Sequence, residues 1–207
     1  MTGASAHLNQ RDVEETETMN IRTPGLPGKN EYGEWYAGYV ARVPEVDIVG
    51  ALAAQPDDLD SLLGGVSEDA STFRYSPDKW SIRQLVGHLV DAERVFALRA
   101  LCFSRGESAA LPGFDENRYV AASSYAEVPC AELRREFRIL REASVMLFGR
   151  LDAEGWSRTG VASDNAVSVR ALAYIMVGHP RHHMTVIGER YLPPLDITAP
   201  KMSWMGG

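Results

Sequence analysis

Apolar residues recur at helical spacing in four stretches of the chain, separated by polar, turn-rich segments. The first stretch covers about residues 46–63, with Ile48, Leu52, Leu59, Leu62 and Leu63 as its apolar positions. Pro56-Asp57-Asp58 is expected to break or kink it, since proline removes a backbone donor, and either aspartate suits a cap on the second piece. The second stretch has the clearest start. Ser81-Ile82-Arg83-Gln84 reads as a capping box, and Leu85, His88, Leu89, Ala92, Val95, Phe96 and Phe103 continue the pattern to about Gly106, with Arg99 interrupting the stripe. The third begins near Pro129, with Leu133, Phe137, Leu140, Leu147 and Leu151 as its core face. The fourth starts after Ser168 and runs through Leu172, Ile175, Met176, His179, His183, Val186 and Ile187 to about Tyr191, where Pro193-Pro194 stops it.

Residues 107–128 and 155–167 read as loops, and no segment shows a strand pattern. The fold class expected is therefore all-α: a four-helix bundle over residues 45–192, an irregular N-terminal extension at 1–44 and a C-terminal tail at 193–207. Little regular structure is expected in the first 30 residues. Tyr32, Trp35, Tyr36 and Tyr39 are expected to pack on the bundle as a lid. The loop centred on Leu111-Pro112-Gly113-Phe114-Asp115-Glu116-Asn117 is long enough to cover a site or a subunit contact.

Charge narrows the partners. With 21 basic and 28 acidic residues, a net charge of −7 and no dense Lys/Arg block, the chain is poorly suited to nucleic acid. No apolar run reaches the ~18–20 residues of a membrane span. The start of the chain lacks a basic segment leading into an apolar core, so no secretory signal is expected and the protein is placed in the cytoplasm. Cys102 and Cys130 do not make a disulfide framework.

Three of the five histidines fall in His179-Pro180-Arg181-His182-His183. Projected at ~100° per residue, His179 and His183 both lie within the apolar stripe of the fourth helix, one turn apart, while His182 falls at its edge. The same projection puts His88 on the apolar face of the second helix. Packing the two faces together brings three imidazoles toward one point, a set that suits zinc, nickel, copper or iron better than magnesium or calcium and leaves a position open. A single His on an apolar face is ordinarily a hydrogen-bonded core residue; the inward i, i+4 pair is what makes a metal site the stronger reading.

The chain also resembles the DinB-like (YfiT-like) metal-binding four-helix proteins. The likeness lies in Trp80-Ser81-Ile82-Arg83-Gln84, Gly87-His88-Leu89, Ala92-Glu93-Arg94, the Leu111–Asn117 segment, Ser168-Val169-Arg170-Ala171-Leu172 and the histidine cluster, in order over about residues 45–192. The resemblance implies a bundle with an unusual helix order, often a homodimer, with nickel or zinc held by His88, His179 and His183. Relatives include thiol S-transferases that use bacillithiol or mycothiol, and proteins labelled metal-dependent hydrolases. Pro180 departs from the ordinary helix former expected there and predicts a kink between two ligands.

An open position on such an ion can lower the pKa of a water to about 7 or deprotonate a thiol. A helical zinc protease carries a glutamate base where this chain has Pro180, and Asp91 and Glu93 project away from His88. That absence favours transfer of a low-molecular-weight thiol to a small electrophile, with hydrolysis behind it and a non-enzymatic metal-binding or dimeric interaction module as the alternative class. Arg134, Arg138 and Arg141, alternating with Glu132, Glu136 and Glu142, are expected on a solvated, ion-paired face. Arg99 is a lone candidate for contact with an acidic thiol cofactor, but it lies about 16 Å along the helix from His88, and a structural ion pair or a snorkelling stem is the ordinary fate of such a residue. Cys102 lies too far along the helix to be a ligand, and Cys130 is expected to be a small buried hydrophobe.

Overall fold

The structure, a computed structural model, describes residues 24–202 and Trp204; the expectation for the first 23 residues lies outside the described part. In chain order the elements are α1 (Ala37–Val40), α2 (Ile48–Leu63), α3 (Ile82–Ser104), α4 (Glu116–Ala122), α5 (Cys130–Phe148), α6 (Ala153–Ser157), β1 (Thr159–Ala162), β2 (Asn165–Ser168) and α7 (Val169–Val186). A single π-type turn, Ile187–Tyr191, prolongs α7 before the two prolines end it.

Local chemistry sets the helix starts. Ser81 and Gln84 make both bonds of the capping box on α3. Asp47, Asp115, Asp152 and Ser168 each accept from a first-turn amide, at Gly50, Arg118, Gly155 and Ala171. Gly106, at φ +83°, terminates α3 in a left-handed conformation that favours glycine.

The four long helices α2, α3, α5 and α7 form the bundle. Both α2 and α3 pack against α5 and α7, which leaves α2 diagonal to α3 and α5 diagonal to α7. The chain thus crosses the bundle diagonally twice, which is why the links before α3 and α7 are long. Two apolar clusters fill the interior, one around Leu52, Phe96, Phe148 and Leu172, the other around Leu59, Leu89, Phe137 and Met184. Each helix contributes to both clusters and places polar residues between them: Gln55, His88 and Glu93, Arg141 and Ser144, and His179. A buried polar layer therefore cuts across the core.

Four expectations need correction. First, α2 is continuous through Pro56, and neither aspartate caps a second piece; Asp57 pairs with Arg138, and Asp58 accepts from the indole of Trp204. Pro56 lies inside the helix with its ring buried. Second, the 107–128 segment contains α4, which Asp115 caps. Third, residues 155–167 hold the end of α6 and most of an antiparallel hairpin, Thr159 opposite Ser168 through Ala162 opposite Asn165. Its two-residue turn is Ser163-Asp164, both at positive φ (52° and 60°), the conformation that matches strand twist in tight hairpins. Fourth, Arg141 is not on a solvated face. It is buried at 1% exposure against Glu93, while Arg134 and Arg138 do pair at the surface with Asp57 and Asp60.

The segment before α2 belongs to the core. Tyr36, Val40 and Val43 are buried, and Glu31 pairs with Arg170 and accepts from Ser168 at the start of α7. Among the described residues no helix is long and apolar enough to cross a membrane.

Candidate metal centre

The capping box fixes where α3 begins, and the apolar stripe that follows turns His88 inward, leaving it 4% exposed. On α7 the stripe through Leu172, Ile175 and Met176 turns His179 the same way. The adjacent α3 and α7 then bring three rings together. Nε2 of His179 lies 2.9 Å from Nε2 of His88 and 3.1 Å from Nε2 of His183. One nitrogen from each of the three lies within 4.8 Å of the others. Ligand nitrogens on a tetrahedral zinc at about 2.0–2.1 Å stand about 3.3 Å apart, so the spacing fits a single ion.

Pro180 does not spoil this. It removes the amide that would bond to the carbonyl of Met176, one turn back. Arg141 Nη2 donates to that carbonyl at 2.9 Å, and α7 runs unbroken through both histidines. A second brace, Gln55 Nε2, donates to the next carbonyl, Val177, at 2.7 Å. Gly178 is needed for a different reason. A Cβ there would lie 2.0 Å from the carbonyl oxygen of Tyr39, so α1 could not approach the histidines.

The electrostatics suit neutral ligands. Burial pushes the His88 imidazole down to about 4, and burial with neighbouring imidazoles holds His179 and His183 well below the usual histidine range. All three rings are therefore uncharged at neutral pH, with lone pairs available. In a neutral ring Nε2 is either one donor or one acceptor, so Nε2 of His179 cannot bond fully to both neighbours at once, whereas one cation can accept a lone pair from all three rings. Nδ1 of His88 is buried without a hydrogen-bond partner; the Trp80 ring, 4.9 Å away between centres, packs beside that imidazole.

Two clefts reach the histidines. The first, about 140 Å³, is lined by Trp35, Tyr36, Tyr39, Phe96, Phe114 and the ligand candidates themselves, with Arg99, Glu116 and Ser163 as its other polar groups. The second, about 270 Å³, is lined by Tyr75, Asp78, Lys79, Asn117, His182 and Tyr191. Both clefts border Trp80 and His183. The aromatic run before α2 does form a lid, but one that walls the site rather than merely covering the domain.

The remaining candidates fall out as follows. His182 is half-buried beside Tyr39 and outside the trio of converging nitrogens. Asp91 accepts from Tyr125 and lines neither cleft. Glu93 is locked between Arg141 and Ser144. Cys130 is buried and its thiol is pushed up to about 11, largely by burial. Sequence reasoning placed the Leu111–Asn117 loop over a site without singling out Glu116, and missed Ser163 and Trp80 as lining groups. Glu116 and Ser163 sit on α4 and the hairpin tip, the two elements that carry no long hydrophobic period.

Fold and site together define a helical bundle whose core opens onto three inward imidazoles. The DinB superfamily model matches residues 51–187, and the chain belongs to that superfamily. Among solved structures it is similar to YfiT from Bacillus subtilis, described as "a probable metal-dependent hydrolase with an unusual four-helix bundle topology". The two share 16% identity at a TM-score of 0.68, over 86% of this chain and 99% of that one, a likeness of fold. No curated protein sequence matches the chain.

Proposed function

We propose that this protein is a metal-dependent enzyme in which His88, His179 and His183 hold one zinc or nickel ion, and that it transfers a low-molecular-weight thiol to a small electrophile. The observation that carries the reading is the pair of clefts that both border His183 and share Trp80 as a wall. A transfer reaction needs two substrates to meet, and two approaches to one centre supply that geometry. A divalent ion at the three imidazoles contributes Lewis acidity to a thiol or water brought beside it. The chain's own residues do the rest. Tyr39, Phe96 and Trp80 exclude bulk water around the imidazoles, and the lid presents an apolar wall to the electrophile.

Hydrolysis is the second reading, and Glu116 favours it. Its carboxylate lines the first cleft, so the lack of a base on the histidine helix no longer argues against a water nucleophile. A homodimer is part of the proposal as well. A groove between α3 and α5, lined by Leu98, Leu101, Leu140 and Leu147, leaves Leu98 and Leu101 exposed on a surface apolar enough to be covered by a second copy. We place the protein in the cytoplasm, in keeping with its two unpaired cysteines.

Cobalt-loaded protein tests the reaction. Titration with a panel of low-molecular-weight thiols is expected to produce a sulfur-to-metal charge-transfer band. No band with any thiol, together with ester hydrolysis that falls on Glu116→Gln, would replace transfer by hydrolysis.

A further inference from the structure

Among the described residues three arginines are almost wholly buried, Arg99 at 2%, Arg141 at 1% and Arg181 at 3% exposure. Arg141 faces Glu93 at 2.8 Å, and Arg181 faces Glu45 at 2.6 Å. Arg99 has no carboxylate. Its three hydrogen bonds go to neutral oxygens: the Tyr36 hydroxyl at 3.2 Å, the Pro112 carbonyl at 2.9 Å and the Ser163 hydroxyl at 3.0 Å. A guanidinium has five donors, so two are left over among the described residues. A buried cation without a counter-charge is costly, and proteins normally pair it.

This arginine is the one of the three that lines the first cleft. Eleven residues after His88 it returns to the same helix face, and helical side chains lean toward the N-terminus, back toward the imidazoles. Its guanidinium lies 5.8 Å from the centre of the Phe96 ring, and that ring lies 5.9 Å from His179. Cation and imidazole thus flank the same aromatic wall. The groups that hold Arg99 also converge from separate elements: Tyr36 from the lid, Pro112 from the loop before α4, and Ser163 from a hairpin tip in a left-handed conformation.

We infer that Arg99 is the anion subsite of the first cleft, and that the cleft takes a small aryl carboxylate. The acid group meets the guanidinium and the Ser163 hydroxyl, the apolar body lies between Tyr36, Phe96 and Phe114, and the other end faces the histidines. A planar carboxylate matches a guanidinium that retains free N–H groups, and a cleft of about 140 Å³ restricts the occupant to a compact molecule. Glu116, the other charged side chain lining the cleft, is exposed and repels an anion, which favours placing the acid at the buried Arg99. The inference names a substrate class for the proposed enzyme and rests on that reading only for what happens at the histidine end.

Calorimetry with benzoate, phenylacetate and 3-phenylpropionate, each against its amide, tests it on metal-free and zinc-loaded protein. At least one acid is expected to bind about tenfold or more tighter than its amide in both forms. Arg99→Gln is expected to reduce that preference to about twofold while leaving zinc stoichiometry unchanged, and Arg99→Lys to retain part of it. Equal binding of acids and amides, or no binding of any acid, overturns the inference. So does a preference seen only with zinc that survives Arg99→Gln, since the acid would then sit on the metal. Inorganic phosphate competing as well as the acids overturns the aryl carboxylate assignment. If Arg99→Gln fails to fold, the acid–amide comparison on the wild type and the Arg99→Lys variant decide. Loss of zinc binding with acid preference intact removes the proposed enzyme and leaves the subsite standing.

Discussion

Pro180 takes a backbone donor out of the turn that separates His179 from His183, and a side chain from the facing helix takes up the carbonyl it leaves. Arg141 does this while neutralising Glu93, so one residue supports both the helix backbone and the charge balance of the polar layer. Arg141→Met is therefore expected to cost about 3–5 kcal/mol in urea unfolding, because Glu93 is left buried without its cation. A loss under about 1 kcal/mol would mean that the pair matters little to the core. Cys130 gives a second check at this scale. With its thiol buried and pushed up to about 11, it is expected to stay unreactive toward a disulfide reagent at pH 8 until the protein is unfolded. Rapid labelling of Cys130 in native protein would show that the start of α5 opens readily. The inward histidines were legible in the sequence because apolar neighbours one turn away define a helix face. Arg141 was not, because a charged residue flanked by Glu136 and Glu142 looks the same on a surface as it does facing a buried carboxylate on another helix.

The elements with strong periodicity and good caps, α3 and α7 above all, were legible to within a residue or two at their starts: Ser81 and Ser168 are where the sequence puts them. The short elements were hidden. A seven-residue helix such as α4 offers only two turns of pattern, and β1 and β2 have four residues each, too few to distinguish alternation from chance. The hairpin turn carries Ser-Asp in place of the Asn-Gly that signals such turns. The break expected at Pro56 is absent, and at Pro180 Arg141 takes up the carbonyl that the proline leaves, a donor from another helix that the local sequence does not show. If Asp164 is held at φ 60° against its preference, Asp164→Gly is expected to stabilise the fold by about 0.5–1 kcal/mol, read as a rise in Tm. A destabilised variant would show that the Asp164 side chain contributes more than its backbone conformation costs.

At the scale of the whole molecule, the double diagonal crossing makes α3 and α7 neighbours although most of the chain's other elements lie between them. Three histidines 91 and 4 residues apart become a cluster only through that arrangement. The lid, the loop before α4 and the hairpin tip then close one side of it around Arg99, so the connections that look irregular in sequence build the specific part of the cleft. The account stands or falls on the ion. Zinc titration by calorimetry of the wild type and of His88→Ala, His179→Ala, His183→Ala and His182→Ala tests it most directly. The prediction is one zinc per chain for the wild type and for His182→Ala, with affinity falling by about a hundredfold or more in each of the other three, since each loses one of three ligands. A wild type that binds no zinc, nickel or cobalt, or one whose metal binding survives all three of those substitutions, would contradict it.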